Sequence, residues 1–450
     1  MTDETKKFKH SLVFGKSDIE DVVDSIWTPT IKDWLDVIED YVEISKKRRI
    51  NKLAIAKLQT NLIFDIISIN DHIKGYKELI ENPEIQKESF PELEITEKII
   101  KLWEQELKAY KIILSAIKDV GDGIAWRLLD YNRSLIYNMC SNNVDGGPLM
   151  VNIGIINELN VLEKYIENEE VKNFVYHGIT NFLLIGDLTV KYFNGEINFV
   201  EIKTQKNQRG TSWKERVQRQ KDRAENLITI ANEGVGASSG LEVRIYPING
   251  APNVCLKKIR TLLILAKNSE LVSLSISQFL NIAVVNLSKS NSMENYEDKI
   301  NSIYANLRKS ENDKIITFNS HSNFIFTPNR TPLSIHPFTS EDITNILLGR
   351  YVIWYFFNIS EFIREIEKHG WIVSNVIYDR KEKNSDKSMF TVSKNRLNVN
   401  IPPTLVSRVI YEGLTLESLV KHFDEYLKAG LFGTDYGIMM EYEKESELWD

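Results

Sequence analysis

Leu183-Leu184-Ile185-Gly186-Asp187-Leu188-Thr189-Val190-Lys191-Tyr192, then Asn194-Gly195, then Ile197-Asn198-Phe199-Val200-Glu201-Ile202-Lys203-Thr204, is the run on which the architecture turns. Two apolar, β-branched segments flank Asn-Gly, the dipeptide that most strongly favours a tight turn between antiparallel strands. The spacing predicts a β-hairpin. Side chains alternate between the faces of a strand, so Glu201 and Lys203 share one face and Ile202 takes the other. Asp187 lies fourteen residues before Glu201, on the partner strand. Two carboxylates beside a strand carbonyl form a donor set for a hard divalent cation such as magnesium, which binds oxygen and keeps several waters.

The flanking sequence predicts further elements. Ile155, Leu159, Leu162 and Ile166 fall on one stripe of a helix. Phe174-Val175-Tyr176 reads as a strand before the hairpin. After Lys203, the stretch from about Trp213 to Ala231 reads as a second helix, with Val217, Ala224, Leu227, Ile228 and Ile230 inward. Leu241 to Ile248 then reads as a fourth strand closing the unit. The succession is helix, three strands, helix, strand.

Gly186-Asp187 followed by Glu201-Ile202-Lys203, set in that succession, resembles the PD-(D/E)xK superfamily of restriction-endonuclease-like nucleases. Gly186 stands where the family has proline. The resemblance implies an αβββαβ core in which Asp187 and Glu201 bind metal, Ile202 offers its carbonyl, and Lys203 orients or activates the attacking water. It implies magnesium as cofactor, with manganese able to substitute. Glu158 on the first helix and Gln220 on the second match places where relatives carry a further metal-cluster glutamate and a glutamine that points at the lysine or the phosphate. Solvated helix faces are the competing reading of both.

Charge is unevenly spread. The chain carries 56 Lys and Arg against 63 Asp and Glu, a net −7, which is awkward for a protein that grips phosphates. Yet Lys203, Lys206, Arg209, Lys214, Arg216, Arg219, Lys221 and Arg223 oppose only Glu215 and Asp222, a local +6 that begins at the lysine of the motif. That run would receive a nucleic-acid backbone, and Trp213 would stack on a base or sugar. A solvated basic helix face is the alternative.

The expected class is α/β at the core and α+β overall. Residues 1–148 read as a helical region, 149–260 as the nuclease core and 261–450 as an α+β accessory part, with a linker near 320–337. In the first region, Ile31, Trp34, Leu35, Ile38 and Val42 form one apolar stripe. Further helices are expected at about Lys52 to Ile80 and Glu92 to Val120, with Gly121-Asp122-Gly123 as a break and Asp122 capping the helix that carries Trp126 and Arg127. Lys46-Lys47-Arg48-Arg49, Arg127 and Arg133 are secondary candidates for phosphate contact. His177 reads as a buried or capping residue, and Gly234 to Gly240 as a turn between helix and strand. In the last region Met389 to Val399 reads as one strand, Leu416 to Ala429 as a helix capped by Thr415, and Glu441 to Asp450 as a mobile or surface tail.

Composition excludes other classes. Cys140 and Cys255 are the only cysteines, so neither a disulfide framework nor a zinc-thiolate cluster is expected, and a cytoplasmic setting follows. The seven histidines include no H-E-x-x-H pair, and no G-x-x-x-x-G-K-[ST] occurs. The start has no apolar signal core, and no apolar run is long enough to cross a bilayer. The function expected is a magnesium-dependent nuclease, most naturally a DNA endonuclease, with RNA as the other substrate; a prokaryotic anti-phage defence or restriction effector suits the resemblance. The helical N-terminal region offers a surface for a second copy or a partner protein. The alternative is an inactive nuclease-like module that binds nucleic acid or acts as a scaffold.

Overall fold

The computed structural model describes residues 11–13, 25–47, 51–83, 96–140, 153–183, 187–200, 202, 222, 225–238, 241–289, 294–321, 331–376, 389–395, 397–428 and 437–449. In chain order the first elements are β1 (Ser11–Val13), α1 (Pro29–Lys46), α2 (Lys52–Glu81), α3 (Glu97–Leu128), α4 (Arg133–Cys140) and α5 (Ile153–Glu167). Then come β2 (Val171–Tyr176), β3 (Leu188–Tyr192), β4 (Ile197–Val200), β5 (Val235–Ser238) and β6 (Leu241–Ile248). Next are α6 (Leu256–Ala266), β7 (Leu271–Ser275), β8 (Leu280–Asn286), α7 (Glu294–Leu307), β9 (Ile315–Asn319), α8 (Ser340–Leu347) and β10 (Tyr351–Asn358). The chain closes with α9 (Ile359–Lys368), β11 (Ile372–Ser374), β12 (Phe390–Lys394), β13 (Leu397–Ile401), α10 (Pro403–Tyr411), α11 (Leu416–Lys428) and β14 (Gly437–Tyr442). The class is α+β. Among the described residues, no helix is long and apolar enough to cross a membrane.

Two compact units form. One comprises Trp27–Pro247, Thr331–His336 and Thr434–Asp450. Two of its helices start at side-chain caps: Thr28 accepts from Ile31 N–H at 3.3 Å ahead of Pro29, and Asn51 accepts from Ala54 N–H at 2.7 Å. The apolar stripe of α1 buries Ile31, Ile38 and Val42, and α2 and α3 lie side by side. Against α2, α3 and α5 rests the antiparallel sheet β2-β3-β4.

The predicted hairpin forms, with a three-residue loop, Phe193-Asn194-Gly195. Gly195 N–H donates to the Tyr192 carbonyl at 3.0 Å, and Gly195 takes φ +90°, a left-handed value open to glycine. Leu241 to Ile248 forms the strand expected of it. Its partners differ: β6 lies between β5 and β14 in a second three-stranded sheet and is not paired to β2-β3-β4 among the described residues.

Several other expectations are corrected by tertiary contacts. Gly121-Asp122-Gly123 does not break α3, which runs on to Leu128. A Cβ at Gly121 would stand 2.0 Å from the Ile179 carbonyl oxygen, and one at Gly123 would stand 2.4 Å from Ser334 Oγ. These glycines serve close approach. The break falls instead at Asp130 and Tyr131, both left-handed, with φ of 51° and 60°. Val235–Ser238, inside the expected turn, is a strand paired with β6. Of the expected linker, residues 331–336 are buried, because Asp119 on α3 accepts from Leu333 N–H at 3.0 Å and Ser334 N–H at 2.8 Å. The acidic terminus is not a free tail over its described length: Tyr442, Glu445 and Trp449 are buried.

The other unit comprises Met1–Ile26, Ile248–Arg330 and Pro337–Gly433. Its larger sheet has the order β1-β9-β10-β8-β7, with the wholly buried β10 at the centre. Residues Met389 to Val399 give two strands rather than one, since Asn395 takes φ 53° and folds β13 back on β12. Thr415 caps α11 as expected, accepting from Ser418 N–H at 3.3 Å. Gly349 and Gly370, at φ 80° and 79°, follow the helices they end.

Candidate active site

Asp187 sits immediately before β3, where the middle strand of the sheet begins. Its N–H donates to the Val200 carbonyl at 2.9 Å, and its carbonyl accepts from His177 N–H at 2.9 Å. The backbone is thereby held from both neighbouring strands. The carboxylate is held as well: Asp187 Oδ2 accepts from the Ile202 N–H at 2.6 Å. Ile202 is the residue between Glu201 and Lys203. Those two lie outside the described residues, as do Gln220 and the basic-run residues Lys206, Arg209, Trp213, Lys214, Arg216, Arg219, Lys221 and Arg223.

Glu158 projects from α5 to the same end of the sheet. Its Oε2 accepts the hydroxyl of Tyr176, the last residue of β2. It is therefore not a merely solvated helix-face residue. Burial pushes the Tyr176 hydroxyl above its ordinary range, the bond to Glu158 pushes it further, and the charges of Glu158 and Asp187 add to that. The hydroxyl remains protonated and donates. Tyr176, which bonds Glu158, pairs across the sheet with Leu188, the residue after Asp187, so the two acids lie at one end of the sheet.

Gln59, wholly buried on α2, fixes the backbone beneath them. Its Oε1 accepts from Tyr176 N–H at 2.8 Å and its Nε2 donates to the Phe174 carbonyl at 2.9 Å. In effect the amide stands in for a neighbouring strand along the edge of β2 that no described strand pairs. The sequence reading missed Gln59 and Tyr176; a polar residue interrupting the apolar stripe of α2 between Leu58 and Leu62 was the available signal. His177 is buried as expected, with Nε2 2.7 Å from Thr189 Oγ1.

Asp187, Thr189 and Lys191 alternate along one face of β3. At the far end Lys191 Nζ donates to the Leu128 carbonyl at 3.2 Å and pairs with Asp130, so this lysine caps the last turn of α3. Asp122 caps no helix. From the last two turns of α3 it accepts both the backbone and side-chain N–H of Asn181, each at 2.7 Å. Burial pushes its carboxyl up to about 7, opposed by those two hydrogen bonds and by Lys118.

Arg133 is committed within its own unit. Its Nε lies 2.8 Å from Glu445 Oε1, Nη2 donates to Thr331 Oγ1 at 2.8 Å, and the guanidinium stands 4.9 Å from the Trp126 ring centroid. Lys46 donates to the His336 carbonyl at 3.0 Å. Neither side chain presents itself for phosphate contact. A cavity of about 340 Å³, lined by Asp130, Tyr131, Gly195, Ile197, Glu441 and Glu445 among others, lies at the hairpin tip. The five residues of β3, at about 3.3 Å each, set that tip roughly 16 Å from Asp187. It is a separate feature.

No family model, curated protein or solved structure matches this chain. The site's chemistry must be judged on its own donors. Among the described residues, no three His, Cys, Asp or Glu side chains gather as a ligand set. Asp187 and Glu158 supply two carboxylates at one end of the sheet. Magnesium takes oxygen ligands, one or two carboxylates together with several waters, and these two carboxylates are donors of that kind.

Proposed function

We propose that this chain is a magnesium-dependent nuclease that hydrolyses phosphodiester bonds, with DNA as its substrate. The observation that carries the reading is the hydrogen bond from Ile202 N–H to Asp187 Oδ2 at 2.6 Å. It ties the first acid of the motif to the one residue that separates Glu201 from Lys203. Asp187, Glu201 and the Ile202 carbonyl would hold the ion, with Glu158 beside them. Bound there, magnesium would supply positive charge against that developing on the phosphate.

The rest falls to the chain's own groups. Lys203 orients the attacking water and stabilises negative charge at the scissile phosphate. The basic run from Lys206 to Arg223 holds the nucleic-acid backbone, so binding weakens steeply with salt. Tyr176, Gln59 and His177 keep Glu158 and Asp187 in place.

Purified protein is expected to cut DNA with magnesium and not with EDTA. Asp187→Asn, Glu201→Gln and Lys203→Met should each lower the cleavage rate by about 100-fold or more, with circular dichroism unchanged. Cleavage retained in all three variants would overturn the assignment. Salt-sensitive DNA binding without cleavage in magnesium or manganese would instead identify an inactive binding module, and parallel assays on RNA decide the substrate.

A further inference from the structure

The dipeptide Tyr176-His177 touches both described acidic residues of the site, Glu158 at its carboxylate and Asp187 at its backbone. Tyr176 reaches Glu158 through its side chain, and His177 reaches Asp187 through its backbone N–H, which donates to the Asp187 carbonyl at 2.9 Å. The two residues sit where β2 passes into a short 3-10 turn, His177–Ile179. That passage is itself fixed, because Tyr176 N–H donates to buried Gln59. Helix α5 and strand β3 thus report to one rigid point.

From this geometry we propose that Tyr176 is a positioning residue, which holds Glu158 of α5 in register with Asp187 so that the two carboxylates can serve one divalent cation. The proposal rests on the nuclease reading of the site. A carboxylate has two oxygens. The phenol occupies one of them and restricts the glutamate to few rotamers, leaving the second oxygen for a cation. Without the hydroxyl, α5 still carries Glu158, but the side chain is free to turn toward water. Partners of this kind, one step removed from the ion, typically govern metal affinity by about 10- to 100-fold.

Manganese binding to the full chain, followed by calorimetric titration and by the electron-spin signal of the free ion, separates this role from a structural one. Tyr176→Phe is expected to weaken manganese binding about tenfold or more while keeping the far-ultraviolet circular dichroism of the parent. Glu158→Gln should weaken binding by a similar factor. Because Tyr176 acts through Glu158, adding Tyr176→Phe to Glu158→Gln should change the affinity by less than about twofold. Wild-type affinity in either single variant overturns the proposal, as does an undiminished effect of Tyr176→Phe in the Glu158→Gln background. Wild-type affinity in Glu158→Gln overturns the proposal even where the phenylalanine variant folds poorly. Asp187→Asn serves as the reference: if it leaves manganese binding intact, the site itself is misassigned. If Asp187→Asn abolishes binding while Tyr176→Phe does not weaken it, only the role of Tyr176 falls.

Discussion

At the scale of single residues, glycine shows how the same side chain can serve opposite ends. Gly121 sits in α3 with the Ile179 backbone where a methyl group would have to go, whereas Gly75 in α2 has nothing within 4 Å of that position. Gly121→Ala must push a backbone carbonyl aside, an overpacking cost of roughly 1–3 kcal/mol. Gly75→Ala only reduces the backbone entropy lost on folding at a helical glycine with open space beside it, and should add about 0.5–1 kcal/mol. Urea unfolding of the two variants is expected to move in opposite directions. A Gly121→Ala protein as stable as the parent would show that α3 does not pack on the His177–Ile179 turn. Asp187 belongs to the same scale: its carboxylate bond to Ile202 N–H and its two backbone bonds leave it little freedom, which is the preorganisation that the proposed metal-binding role requires.

At the scale of elements, β2 is an edge strand among the described residues, and its unpaired row of donors and acceptors meets a helix. Gln59 answers two of them from α2, pairing with Phe174 and Tyr176. Gln59→Leu keeps the volume but orphans a buried carbonyl and a buried N–H at about 1–3 kcal/mol each. A loss of roughly 2–5 kcal/mol is expected in denaturant titration. Hydrogen exchange at Tyr176 N–H should quicken alongside it. A change below about 0.5 kcal/mol would mean that water serves this edge as well as the amide does. The hairpin β3-β4 is built on more local terms, with Gly195 supplying the left-handed residue that its loop requires.

At the scale of the whole molecule, the two units carry carboxyls shifted in opposite directions. In the unit that holds Asp187, burial pushes Glu441 up to about 7 despite the Arg133 N–H it accepts, and Asp122 likewise. The folded form then binds protons that the unfolded form has already released, so these groups withdraw stability as pH rises from about 4 to about 7. In the other unit, burial would raise Asp313 and Glu361. Hydrogen bonds from Asn358 and Arg364 to Asp313, and from Lys309 and Arg364 to Glu361, outweigh it and hold both carboxyls below their ordinary range. Those groups contribute stability above about pH 4, and it is lost as pH falls through the folded values. Calorimetric unfolding between pH 3 and pH 8 should therefore give a flatter profile between about 4 and 7 in Glu441→Gln, and a smaller acid loss in Glu361→Gln. Unchanged profiles in both would refute the assigned environments.

Much of the element sequence was legible in the chain because its determinants are short-range. The stripe Ile31, Ile38, Val42, the Phe174-Val175-Tyr176 strand and the hairpin around Asn194-Gly195 each depend on residues within a few positions of one another. The failures share a cause. Gly121-Asp122-Gly123 reads as a breaker only until Ile179 and Ser334 fill the space the missing side chains leave. Residues 331–336 read as linker until Asp119, more than two hundred positions away, accepts their N–H groups. The acidic terminus reads as tail until Arg133 pairs with Glu445.

The candidate site divides along the same line. Asp187 with Glu201-Ile202-Lys203 is a pattern that alternation along two paired strands makes visible, since each position follows from its neighbour's. That Glu158 answers to Tyr176, and Tyr176 to Gln59 across 117 positions, follows from no local rule. Local conformation is set by sterics and hydrogen bonds within a turn or two of chain, and so the sequence determined the strands, the helices and the order of the motif. Which buried polar groups find one another depends on packing between segments remote in the chain, and that only the tertiary structure decided.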